Sequence, residues 1–260
     1  MNGETKKSVG SVLYDDVMGG LRPMIPFVAG GGILMAISFM FGMRIGDDSV
    51  NQFAKILYEI GHNNAMLLMI PIFAGFIAHT IAGQDALAPG MIGGMIAKTT
   101  GSGFLGGIVA GFLAGYLVKL LNKLLSNFPE DFQSIKKLLI IPVISTFVVG
   151  IVMLCVVSVP MAWLNQGLTG FIDGLGTQNL VLTGMVIGGM MAVDLGGPIN
   201  KVAYTFAVAA ISNGNYYPMA AAMVGGVVPP LGVALATTLF KKKFTKDQQI
   251  QGKTYYLLGA

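Results

Sequence analysis

Asp194, Asn200 and Lys201 stand close together in MAVDLGGPINKVAY (191–204), a polar element inside a strongly apolar chain. An ionisable side chain at membrane depth is expensive and marks a functional site by default. Gly196, Gly197 and Pro198 lie between these residues and prevent a regular helix through the middle. A helix broken in this way exposes backbone N–H and C=O groups that can bond sugar hydroxyls. Asp and Asn side chains add bidentate acceptors and donors. Lys201 can pair with Asp194 or hold a substrate oxygen. The bland alternative is a cytoplasmic turn whose charges are simply solvated. A similar element occurs earlier, in HTIAGQDALAP (79–89), with His79, Asp85 and Pro89 around Gly83 and Gln84. His79 can bond a hydroxyl, or it can be an interfacial histidine bonded to backbone. Asn165 is a further neutral polar candidate.

The rest of the chain must position these residues within a membrane. Of 260 residues, 54% are hydrophobic and only 11% charged, and the mean hydropathy is +0.72. A soluble domain carries about 25% charged residues. An all-α, polytopic membrane protein is therefore expected, and the 37 glycines fit helices that pack closely. The net charge of +4 is modest, and the basic residues cluster beside apolar runs. That is a topology signal and not a nucleic-acid footprint. Cys155, in VMLCVVSV, has no partner for redox or metal chemistry and reads as a buried, inert thiol. No Ser-His-Asp set, zinc spacing, dinucleotide fingerprint or phosphate loop is present, so no catalytic residue, metal or cofactor is expected. No cleavable signal peptide is visible.

About eight apolar segments follow one another. Residues 1–10 read as a tail and 11–22 as a short interfacial helix. The runs cover 23–43, 62–82, about 86–98, 103–121, 138–163, 179–193, 199–213 and 216–240. A full crossing takes about 20 apolar residues. The third, sixth and seventh runs are short, which predicts tilted, broken or re-entrant segments sheltered by protein. Pro229 and Pro230 predict a kink or break in the eighth. GFLGGIVAGFLAGY (103–116) reads as a helix-packing face. Lys119, Lys123, Lys136 and Lys137, the lysines at 241–246, and Lys6, Lys7 and Arg22 all fall on one side if there are eight passes. That side, with the N-terminus, is then cytoplasmic. Two fewer passes fit equally well if one pair is re-entrant.

The chain also reads as two related halves, 23–121 and 138–240, each ending in a basic segment. Asp85 to Pro89 and Asp194 to Pro198 share the pattern D-x-x-x-P between short apolar runs. Interrupted apolar segments at corresponding positions are the best sequence pointer to a transporter's binding site. IGGM, at 92–95 and 187–190, falls on opposite sides of the two elements and does not support that alignment.

Taken together, MIPFVAGGGILMAISF, IAGQDALAPGMIGGMIA, GFLGGIVAGFLAGYLVKLL, MMAVDLGGPINKVAYTFA and VPPLGVALAT occur in a familiar order and spacing. They resemble the fructose-type IIC membrane component of the bacterial phosphoenolpyruvate-dependent sugar phosphotransferase system. The resemblance runs from about residue 12 to the end, and GGPINKVAY is its closest match. It implies a multi-pass permease of the bacterial inner membrane that takes fructose or a related sugar from outside. A phosphorylated cytoplasmic IIB protein or domain then converts the sugar to a phosphate ester. It also implies a homodimer with re-entrant hairpins around the sugar, and Asp85, Asp194, Asn200, Lys201 and His79 as substrate-binding candidates. No IIB-type phosphocysteine or IIA-type phosphohistidine motif is present, so no phosphorylated residue of its own is expected. Family members continue into a Thr-Glu-Gly-Ala-Ile-Pro-Phe motif that this sequence lacks, so the domain is expected to be incomplete after its basic segment, 241–260. From the residues alone two alternatives remain. One is a secondary transporter or channel for a small solute. The other is a non-transporting fragment that pairs with an intact permease.

Overall fold

A computed structural model describes residues 9–43, 50–129, 132–174, 180–193, 198–212 and 214–259. The chain is an all-α polytopic membrane protein, with no strand among the described residues. It divides into two compact units, Met1–Gln166 and Gly167–Ala260.

The first unit begins with α1, Val9–Met40, a single helix of 32 residues. The expected interfacial helix at 11–22 is therefore not separate; it is the first part of α1. Its glycines do not end the helix because they are contact points. A Cβ on Gly20 would come within 2.7 Å of the Phe73 carbonyl oxygen. At 1.5 Å per residue α1 is about 48 Å long, more than a bilayer's apolar core of about 30 Å. Its polar first turns can thus extend beyond the core while Pro23 and Pro26 sit inside the helix.

The second helix, α2, runs Gln52–Ala82. It starts ten residues before the apolar run does. Asn51 caps it, accepting a hydrogen bond from the Phe53 N–H at 2.9 Å. A π-helical turn, Glu59–Ala65, interrupts its regular path. The helix ends at Gly83, whose φ of +75° favours glycine and whose N–H bonds to the His79 carbonyl at 2.7 Å. A single 3₁₀ turn, Gln84–Ala86, leads into α3, Leu87–Thr99. The thirteen residues of α3 reach only about 20 Å, short of a bilayer's apolar core. Then come α4, Gly103–Leu124, and α5, Gln133–Gly167, whose helical path continues to Gly174.

Helices α2, α3 and α4 pack on one another through glycines. Gly90 and Gly94 of α3 face Ala74, Ala78 and Ile70 of α2, while Gly107, Gly111 and Gly115 of α4 face Ile70, Ile77 and Ile81. The ring of Phe73 stacks on Phe104 with centroids 4.4 Å apart. The 103–116 segment is thus a packing face, and α5 joins the cluster where Val149 meets Gly93 of α3.

Lys136 is not a solvated loop charge. It is 7% exposed, and its Nζ donates to the Leu125 carbonyl at 2.6 Å, just past the end of α4. A cation there complements the helix dipole and satisfies an otherwise orphaned carbonyl. Lys136→Met is expected to cost about 1.5–3 kcal/mol, the worth of a hydrogen bond to a charged group. The check is thermal unfolding in detergent, and an unchanged midpoint would contradict it. Cys155 is also corrected: it is exposed on α5, within a helix apolar enough to cross a membrane, and is not buried in protein.

The second unit contains α6, Leu180–Val193; α7, Pro198–Ser212; α8, Tyr217–Leu239; and α9, Lys246–Gly259. A Cβ on Gly225 of α8 would lie 2.6 Å from the Gly188 carbonyl oxygen of α6. Pro229 and Pro230 lie inside α8, which continues through them; no break separates its halves. Neighbouring groups in a packed membrane helix can compensate the missing donors. The basic segment after α8 folds as a 3₁₀ turn, Lys241–Lys243, and α9 returns onto α8. There Tyr256 Oη donates to Thr238 Oγ1 at 3.1 Å.

Among the described residues five helices, α1, α2, α4, α5 and α8, are long and apolar enough to cross a membrane. The short third, sixth and seventh runs correspond to α3, α6 and α7.

Candidate functional site

The first polar element is built by the close of α2. The left-handed Gly83 stops the helix and turns the chain, so Asp85 lands in the 3₁₀ turn before α3. Asp85 is half-buried. Its Oδ2 lies 3.5 Å from Asn122 Nδ2, near the end of α4, a long contact at the limit of hydrogen bonding. His79 is half-buried one turn before Gly83, with its ring 5.8 Å from that of Phe76. Asp85 therefore keeps acceptor capacity for a ligand, and an amide donor stands beside it. That pairing suits a vicinal diol, which both donates and accepts.

The second element lies between α6 and α7. Residues 194–197, and so Asp194, Gly196 and Gly197, lie outside the described residues, as does the side chain of Lys201. What is described is the way the two helix ends are tied. Pro198 opens α7, where its fixed φ suits a first helical turn and its missing N–H costs nothing. Asn200, half-buried in that turn, donates Nδ2 to the Met191 carbonyl of α6 at 2.9 Å. The last carbonyls of a helix have no partner within it. Asn200 thus satisfies one of them and ties the start of α7 to the end of α6.

Asp85 with Asn122 belongs to the first unit and Asn200 to the second. Among the described residues no group of three potential metal ligands occurs. The chemistry on offer is hydroxyl recognition by carboxylate and amide side chains.

Two polar features escape a reading by runs. Asn122 looks like a loop residue in the sequence, yet it is the partner of Asp85. The π-helical turn of α2 gathers Glu59, His62, Asn63 and Asn64. Asn63 bonds the Glu59 carboxylate, Asn64 Nδ2 donates to the Glu59 carbonyl at 2.8 Å, and His62 stacks on Tyr58 at 4.9 Å. The run His-Asn-Asn three residues after a Glu was the available signal.

Helices long and apolar enough to cross a membrane, interleaved with short helices that meet at polar breaks, define a polytopic membrane protein. The chain belongs to the phosphotransferase system EIIC family, whose model matches residues 18–260. It is 48% identical over 261 residues to the "PTS system fructose-specific EIIABC component" of Bacillus subtilis (strain 168), covering 99% of this chain and 41% of that protein. It is 50% identical over 214 residues to the "Fructose permease IIC component" of Bacillus amyloliquefaciens, covering 82% of this chain and 70% of that one. The "Fructose-like permease IIC component 2" of Escherichia coli (strain K12) is 36% identical over 246 residues, covering 94% and 68%. The chain thus spans less than half the length of the multi-part relative and about two thirds of the separate permeases. No solved structure matches it.

Proposed function

We propose that the chain is the membrane part of a sugar permease that binds fructose or a related sugar and moves it inward with phosphorylation by a IIB partner. The observation that carries this reading is the similarity over 99% of the chain to a fructose-specific relative. The two polar breaks support it with a plausible chemistry. Asp85, with Asn122, offers acceptor and donor to neighbouring hydroxyls. Asn200 lies at the break where Asp194 and Lys201 stand in the sequence, and His79 flanks the first break. These five are the proposed sugar-binding residues, His79 and Asp85 at the first break and Asp194, Asn200 and Lys201 at the second. The two D-x-x-x-P elements are proposed as repeated parts of one architecture: α3 packs between α2 and α4 as α7 packs between α6 and α8. The lysine distribution supports an N-terminus on the cytoplasmic side, and a homodimer is the proposed assembly.

The test is uptake of labelled fructose by cells that lack their own fructose permease and express this protein with phosphorylated IIB. Label is expected inside as a phosphate ester, and only with a phosphoryl donor. Entry of free fructose driven by a pH gradient, without the phosphocarriers, would instead support a secondary transporter.

A further inference from the structure

At the end of the first unit remote from Asp85 and Lys136, α3, α4 and α5 form a polar recess that the reading above does not use. The chain passes from α3 to α4 through Thr100, Gly101, Ser102 and Gly103, with Gly101 and Gly103 in the left-handed region at φ +75° and +59°. Two hydrogen bonds tie this turn to α5. Asn165 Nδ2 donates to the Gly101 carbonyl at 3.2 Å, and Ser102 Oγ donates to the Ser158 carbonyl at 3.3 Å. Thr100 Oγ1 lies 2.8 Å from Ser102 Oγ, extending the chain of hydroxyls. Beside them opens a cavity of about 430 Å³. Its polar lining is Thr100, Ser158 and Gln166, and its apolar wall includes Trp163, Val159 and Leu154.

Two observations separate this recess from ordinary surface. Ser158 is only 5% exposed, and its hydroxyl is buried without a hydrogen-bond partner among the described residues. A buried, unmet hydroxyl is destabilising until a ligand or water meets it. Ser158 also follows directly on a π-helical turn, Met153–Val157, an irregularity that is frequent at functional sites. Trp163 is 76% exposed and is the chain's one tryptophan. A tryptophan in a membrane-interface belt would explain its exposure, but not the hydroxyls and amide gathered next to it. The cavity's volume falls within the roughly 300–1,000 Å³ of small-molecule sites. An apolar ring beside a few convergent hydroxyl and amide groups suits a ligand with one apolar face and several hydroxyls.

We propose that this recess is a second, peripheral sugar subsite, in which a free hexose stacks on Trp163 and hydrogen-bonds to Gln166, Thr100 and the unpartnered hydroxyl of Ser158. The proposal rests on the reading of the chain as a sugar permease. A glycerol headgroup carries the same vicinal hydroxyls, so the test must separate sugar from lipid. Because the chain has one tryptophan, the intrinsic tryptophan emission of the purified chain in lipid vesicles free of other protein reports on this recess directly.

Fructose and mannose are titrated in phosphatidylcholine vesicles and again with phosphatidylglycerol added. A saturable change in emission with at least one hexose is expected in both lipids. Gln166→Leu and Ser158→Ala should each raise the half-saturation concentration at least tenfold. Asn200→Ala, at the proposed principal site, should lose uptake yet keep the emission response within about twofold. No response to either hexose overturns the subsite, as does a response that both recess variants leave unchanged, or one produced by phosphatidylglycerol alone. A wild-type protein that fails to take up sugar but keeps the emission response would instead sink the permease reading and leave the subsite standing.

Discussion

Asn200→Ala is expected to reduce phosphorylation-coupled fructose uptake to below a tenth of wild type while leaving the protein folded. The side chain sits where it can do two things at once. It ties the first turn of α7 to the Met191 carbonyl at the end of α6, at 2.9 Å. On the reading proposed above it also faces the sugar at the mouth of the break. Losing a bond to a polar ligand costs about 0.5–1.5 kcal/mol, and more when the ligand's hydroxyl is then left without a partner. Together with a loosened break this exceeds the 1.4 kcal/mol that corresponds to a factor of ten. Fold is a smaller issue, because one side-chain bond at a half-buried helix start contributes about 1 kcal/mol. The variant should therefore express, purify as wild type and melt within a few degrees of it. Asn200→Asp is the sharper probe. It keeps the shape but replaces the donor by a carboxylate that repels the Met191 carbonyl, so it should be at least as inactive as the alanine variant. Uptake at the wild-type rate by both variants would remove Asn200 from the site.

Much of the scaffold could be read along the chain, because a membrane imposes a simple grammar on apolar runs. The short third, sixth and seventh runs are α3, α6 and α7, and the packing role of 103–116 follows from its glycines. What misled a linear reading was compensation by neighbours. Gly19 and Gly20 look like helix breakers before Pro23, yet α2 lies against them and the helix continues. Pro229 and Pro230 stand within an unbroken α8. Lys136 has the sequence context of a flank charge, because nothing local says that the end of α4 returns to it. For the site, the residue types at the two breaks were legible, but their partners were not. Asn122 meets Asp85 across 37 positions and Asn165 meets Gly101 across 64. Contacts of that kind leave no periodic trace in a single sequence, and two of them join the α3–α4 turn to α5 beside Trp163.

The glycine packing carries the largest stability prediction, and its sign is opposite to what helix propensity suggests. In a helix interior alanine is favoured over glycine by about 1 kcal/mol, so Gly→Ala where there is room is neutral or mildly stabilising. Gly30 of α1 has nothing within 4 Å of an added Cβ, and Gly30→Ala should leave the melting temperature unchanged or slightly raised. Gly94 of α3 is the contrary case. An added Cβ would stand 2.8 Å from the Ile70 carbonyl oxygen, from Pro71 Cα and from Ala74 Cβ. Two of those atoms are backbone and the third is fixed directly to it, so no rotamer change relieves the clash and α3 must move off α2. Overpacking of this kind costs about 1–3 kcal/mol, and more where backbone has to shift. That outweighs the propensity gain. Gly94→Ala is expected to lower the melting temperature by about 5 °C or more, and Gly94→Leu to yield little monodisperse protein. Because α3 follows directly on the Asp85 turn, the same displacement carries Asp85 away from Asn122. Fructose uptake should therefore fall in Gly94→Ala even at temperatures where the variant remains folded. Size-exclusion profiles, melting curves and uptake of the Gly30 and Gly94 variants measured side by side decide it. A Gly94→Leu protein as stable as wild type would mean that α3 is not seated on α2 as described.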